Sequence, residues 1–114
     1  MAFTNIEVQQ INSVMGSYCQ GRIPEHLWSE LEIRFRVDGQ AVTVYERRPT
    51  FQIPGKFTEC AVARFRYNRQ TRLWTLYWAD RNLRWHIYER IKPARNLKVL
   101  VEEVERDPTG IFWG

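Results

Sequence analysis

The spacing of apolar residues along the chain changes period twice. Val8, Ile11, Val14, Met15 and Tyr18 recur at helical intervals, and Thr4 and Glu7 stand where a capping box needs its N-cap and N3 residues. Phe3 and Val8 occupy the two hydrophobic-staple positions, so a helix is predicted to begin here. Gly21 is placed to end it in a left-handed turn. Ile23 to Trp28 reads as a turn or one loose helical turn.

From Leu31 the period becomes two. Leu31, Ile33, Phe35 and Val37 share one face, and Glu32, Arg34, Arg36 and Asp38 share the other. Asp38-Gly39 is a hairpin signal, because a type I′ turn needs positive φ at both central residues. A second strand is predicted from about Ala41 to Arg47. Arg48-Pro49 through Pro54-Gly55 then reads as a connection whose exposed loop carries Phe51. The third strand runs from Thr58 to Tyr67, with Ala61, Ala63, Phe65 and Tyr67 opposite Cys60, Val62, Arg64 and Arg66.

Between Trp74 and Tyr88, fifteen positions hold three tryptophans, two tyrosines, two arginines and a histidine. This segment is predicted to be a hairpin turning at Asp80-Arg81-Asn82. Its alternation assigns Trp74, Leu76, Trp78, Trp85 and Ile87 to a covered face with Phe35 and Phe65. Arg84, His86 and Tyr88 fall on the opposite face. A tryptophan that proved to lie on the open side would itself be a candidate stacking platform. Asn96 can cap a last helix with the stripe Leu97, Leu100, Val101 and Val104, which Pro108 stops. The tail Ile111 to Gly114 is expected to pack against the sheet edge, since Phe112 and Trp113 in water would form an unusual apolar patch.

The element order predicts the α+β class. An N-terminal helix precedes a five-stranded antiparallel meander and a C-terminal helix, with both helices packed on one face of the sheet. At 114 residues the chain suits one domain, 1–114, with one core. No apolar run approaches the roughly 18 residues of a membrane span. The N-terminus lacks a basic region followed by an apolar stretch, so no leader peptide is expected. Cys19 and Cys60 sit in unrelated contexts, and two reduced, buried thiols in a cytoplasmic protein are expected.

The charge is more informative for where it lies than for its net value of +4. From Arg34 to Lys92 there are thirteen Arg or Lys against five Asp or Glu, so the middle carries +8 and the two ends together −4. Fourteen of the seventeen basic residues are arginine, whose planar fork suits phosphate and carboxylate. The positive charge belongs to the predicted sheet.

Several segments together resemble a known bacterial family. They are Tyr45-Glu46-Arg47-Arg48-Pro49, Arg64-Phe65-Arg66-Tyr67, the whole run from Trp74 to Tyr88, and the end from Asp107 to Gly114. The chain is similar, over nearly its whole length, to the domain of unknown function 3024 family. That resemblance implies a free-standing bacterial, cytoplasmic single-domain protein and carries no catalytic residues with it.

The candidate chemistry is that of binding. Arg34, Arg36, Arg64 and Arg66 on the open face, Arg81 and Arg84 at the hairpin tip, and His86 and Tyr88 beside them make a candidate binding set. Arginines interleaved with aromatics suit nucleic acid or another polyanion. The plain alternative is a solvated face in which arginines pair with Glu32, Glu46 or Glu89 across strands. A protein partner, added at a strand edge or through the Phe51 loop, is the alternative from another class. A small nuclease comes last: His86 could pair with Asp80, Glu46 or Glu89 while Arg81 and Arg84 hold a phosphodiester. The reading therefore leans away from an enzyme. His26 and His86 are far apart and no Cys/His cluster has ligand spacing, so no metal site is expected. The glycines form no phosphate-cradling loop, and no cofactor is expected.

Overall fold

Each strand in the computed structural model pairs with the one before it in sequence, and the structure describes residues 3–24, 31–50 and 53–113. The order is α1 (Asn5–Arg22), β1 (Glu32–Asp38), β2 (Ala41–Pro49), β3 (Phe57–Asn68), β4 (Leu73–Ala79), β5 (Trp85–Ile87) and α2 (Leu97–Arg106). The five strands form one antiparallel sheet in the order β1-β2-β3-β4-β5, and the expected meander is the one observed. His26, Trp28 and Phe51 lie outside the described residues, while Arg48 and Pro49, expected to open the connection, continue β2 and pair with Thr58 and Phe57.

The capping box forms as its residue types require. Glu7 N–H donates to Thr4 Oγ1 at 3.2 Å, and Thr4 N–H donates back to Glu7 Oε1 at 2.8 Å. The end of α1 differs from expectation. The helix runs through Gly21 to Arg22, and Ile23 leaves it in an extended conformation at φ −120 and ψ 130. Pro24 is the cause: its ring crowds the preceding residue out of helical space, so proline rather than glycine ends the helix.

One layer of side chains joins the helices to the sheet. Ile11, Met15 and Cys19 from α1 and Leu97, Leu100, Val101 and Val104 from α2 meet Ile33, Val42, Val44, Ala63, Phe65, Trp74 and Leu76. Burying each of the larger of these contributes about 1.5–3 kcal/mol. Burial pushes the Cys19 thiol up to about 12, so it stays protonated, whereas Cys60, expected to be buried as well, is exposed. A β-bulge breaks the β2–β3 ladder after the pair Val44–Ala63, and the next pair is Tyr45–Ala61. The unpaired Val62 turns into the core at 5% exposure, although simple alternation set it opposite Ala61 and Ala63.

The second half of the aromatic hairpin faces the other way from its predicted orientation. Ala79 pairs with Trp85, Trp78 with His86 and Tyr77 with Ile87. Trp85 and Ile87 therefore share the uncovered face with Tyr77, while His86 and Tyr88 turn toward the helices. The cause is parity. Residues 80–84 form the loop, closed by Asp80 N–H donating to the Arg84 carbonyl at 2.9 Å. An odd loop puts Trp85 on the face of Ala79; only an even one would return it to the face of Trp78. Trp74, Leu76 and Phe65 are buried, and the partly buried Phe35 and Trp78 pack on the same core, as expected.

Past β5 the chain continues along β4, through Tyr88 N–H to the Leu76 carbonyl and the Trp74–Ala94 bridge. Asn96 caps α2, its side chain accepting from Lys98 N–H at 3.0 Å. The helix ends one residue before Pro108, where Asp107 adopts a left-handed φ of 43. The Asp107 carboxylate then accepts from the N–H groups of Phe112 and Trp113 at 3.1 and 2.8 Å. The tail packs as expected: Phe112 lies 5.1 Å from the Tyr88 ring, and Trp113 lies beneath Arg22 at 4.5 Å.

Candidate functional site

Both helices pack on one face of the sheet, and among the described residues no element covers the other. The register sets what this open face displays. One row across the strands reads Arg36, Thr43, Arg64, Tyr77 and Ile87. The next holds Arg34, Tyr45, Ala61, Ala79 and Trp85, and on the other side Arg66 stands between Ala41 and Thr75. Four of the eight predicted binding residues, Arg34, Arg36, Arg64 and Arg66, are thus brought together.

These arginines divide into two groups by partner. Arg34 and Arg47 share Glu32 at 3.4 and 3.6 Å, and Arg36 donates to Glu59 at 3.0 Å. Those pairs are the carboxylate ladders the sequence allowed, except that Glu59 replaces an expected role for Glu46, which instead binds Arg48 on its own strand. Glu59 holds the Arg36 guanidinium above its ordinary pKa, with a further contribution from Tyr45. Arg64 and Arg66 have no carboxylate partner among the described residues, and the buried Arg64 Nε has no hydrogen-bond partner there. An orphaned buried N–H is costly in itself.

Aromatic rings lie beneath three of the arginines. The Arg36 guanidinium is 4.4 Å from the Tyr45 ring, Arg47 is 4.0 Å from Phe57 and Arg64 is 5.9 Å from Trp85. Each ring holds its cation over a π face. Arg64, Arg66, Tyr77 and Trp85 line a shallow depression of about 110 Å³.

The other four predicted residues lie elsewhere. Arg81 and Arg84 are exposed in the 80–84 loop. His86 and Tyr88 do not belong to the open face, a correction that follows from the loop parity. The His86 ring stacks on Trp78 at 4.6 Å, and its Nε2 lies 2.7 Å from Asp80 Oδ2. Asp80 also accepts from the N–H groups of Asn82 and Arg84 at 2.8 and 3.0 Å. His86 foremost, with these amides, holds the Asp80 carboxyl below its ordinary pKa. Tyr88 is 3% exposed and donates to Glu103 Oε2 at 2.9 Å, so it ties the end of β5 to α2.

The His86–Asp80 pair thus staples a loop, and neither residue lines a described depression. Tyr45, Arg47, Glu59 and Tyr77 join the face without having been singled out, and Trp85 joins it against its assignment to the covered face. For Tyr45 and Tyr77 the signal was available, since each alternates in phase with a polar residue on its own strand, Arg47 and Thr75 respectively. Among the described residues, no group of three His, Cys, Asp or Glu could hold a metal ion, and no helix is long and apolar enough to cross a membrane.

No curated protein and no solved structure is a significant match to this chain. A family model matches residues 3–114, and the chain belongs to the family described as domain of unknown function (DUF3024).

Proposed function

We propose that this protein is a cytoplasmic, non-enzymatic binding module whose open sheet face holds nucleic acid or another polyanion. One observation carries the reading: Arg64 and Arg66 stand at the middle of an uncovered sheet, without carboxylate partners among the described residues, beside Tyr77 and Trp85. Here the outer arginines are paired and the central ones are left for phosphate. The two free thiols, Cys19 and Cys60, support a reducing compartment.

The test is a titration of labelled single-stranded DNA and RNA oligomers at low and moderate salt. Affinity should fall with salt, by a slope of about 0.7 for each phosphate contact. Changing Arg64 and Arg66 together to Gln should weaken binding and flatten that slope, with the circular dichroism spectrum unchanged. Changing Arg34 and Arg36 should have a smaller effect, because Glu32 and Glu59 already neutralise them. Lys98→Gln on α2 should do nothing. No binding at low salt, or binding indifferent to all four arginines, would overturn the proposal. A partner strand added at the edge of β1 would then become the leading idea.

A further inference from the structure

Beside the arginine-lined depression lies a second one, of about 300 Å³, whose walls and floor differ in chemistry. Tyr45 lines one side with Arg36 and the Glu59 carboxylate that pairs with it, Trp85 and Leu83 line the other, and Ala61 and Ala79 lie between them. The register explains the shape. Tyr45 on β2 and Trp85 on β5 are separated by two strands that carry alanine at that level, so two large rings flank a low middle. Their backbones stand three inter-strand spacings apart, roughly 14 Å. The volume is at the small end of the usual range for ligand clefts, about 300–1,000 Å³.

We infer that this slot takes one unpaired nucleobase between the Arg36–Tyr45 stack and Trp85, with the flanking phosphates on Arg64 and Arg66. The inference rests on the polyanion reading above and sharpens it to single-stranded nucleic acid. Three features support that occupant. The walls are π surfaces and a guanidinium, which attract a flat ring whatever its hydrogen-bonding edge. The floor is two methyl groups, which need nothing polar above them. Trp85 lines both depressions, so one residue joins the place for a base to the place for a phosphate. A duplex keeps both faces of each base covered, and a bare polyphosphate has no ring to insert. Neither fills the slot.

The test compares four probes by fluorescence anisotropy at low salt. They are a labelled twelve-nucleotide oligothymidylate, an abasic strand of equal length, a DNA duplex, and inorganic polyphosphate as competitor. The base-bearing strand should bind about 5- to 150-fold more tightly than the abasic one, the range for loss of a base stack. Ala79→Leu fills the floor without touching charge, and should bring the oligothymidylate down to the abasic level while leaving polyphosphate competition unchanged. Trp85→Leu removes a wall and should likewise abolish the preference for the base-bearing strand over the abasic one, which covers the case in which Ala79→Leu does not fold. Equal affinity for base-bearing and abasic strands, preference for the duplex, or indifference to a folded slot variant would overturn the slot and leave the polyanion reading standing. Absence of binding to every probe would overturn both.

Discussion

Replacing Tyr88 with phenylalanine tests the placement on which the open face depends. The Tyr88 side chain is 3% exposed, its ring rests 5.1 Å from that of Phe112, and its hydroxyl donates to Glu103 Oε2 at 2.9 Å. Glu103 is itself 8% exposed, and its other oxygen accepts from Arg106 at 3.0 Å. Tyr88→Phe keeps the ring and removes one hydrogen bond to a carboxylate, leaving a buried oxygen without its donor. Such bonds contribute about 1.5–3 kcal/mol. At roughly 4 °C per kcal/mol for a chain of this size, the melting temperature should fall by about 6–12 °C. Urea denaturation followed by circular dichroism should show a lower midpoint with an unchanged slope, because the surface exposed on unfolding is the same. Combining Tyr88→Phe with Glu103→Leu should cost less than the sum of the two changes, since the pair shares one interaction. A change within about 0.5 kcal/mol, as expected for an exposed tyrosine, would refute the inward placement. It would also remove Trp85 from the open face, because one parity sets both.

Other outcomes test the remaining parts. Trp74→Ala should cost about 3–5 kcal/mol in urea denaturation, because this 7%-exposed indole packs on Phe3 at 5.5 Å and Tyr67 at 5.0 Å; Trp85→Ala, only half-buried, should cost less. The Asp80 carboxyl sits below its ordinary value of 3.8, so its contribution to the loop is fully present above that pH and is lost as pH falls through the depressed value. Protection of the Asn82 and Arg84 amides from hydrogen exchange, taken relative to the intrinsic rate at each pH, should fall in that acid window in the wild type and be low at all pH values in Asp80→Ala. Arg72 occupies left-handed backbone at φ 59 in an exposed turn, so Arg72→Gly should raise stability by about 0.5–1 kcal/mol, read as a higher urea midpoint.

What the sequence determined by itself is local. Thr4 and Glu7 bring together the two groups of a capping box within one turn of chain, and Asp38-Gly39 supplies the backbone freedom of its own hairpin. The alternation from Leu31 to Val37 needs only the pleat to separate Arg34 and Arg36 from the core. Each of these depends on neighbours within a few residues, and the capping box and the alternation appear in the structure as read; the hairpin forms too, but around Gly39 and Gln40, since Asp38 pairs with Ala41 and of these residues only Gly39 has positive φ. Arg64 and Arg66 were placed correctly for the same reason. The rest depended on how distant segments meet. Sorting Trp85 and Ile87 inward by residue type ignored the odd loop between β4 and β5, and only pairing with β4 reveals which way β5 faces. Val62 enters the core because a bulge against β2 shifts the ladder by one residue. Glu59 neutralises Arg36 from two strands away, whereas Arg64 and Arg66 on the same face have no carboxylate partner among the described residues. The slot between Tyr45 and Trp85 exists because three separate strands carry a ring, small residues and another ring at one level. Local sequence sets which way a side chain points from its own strand; only the tertiary register decides which side chains stand beside it.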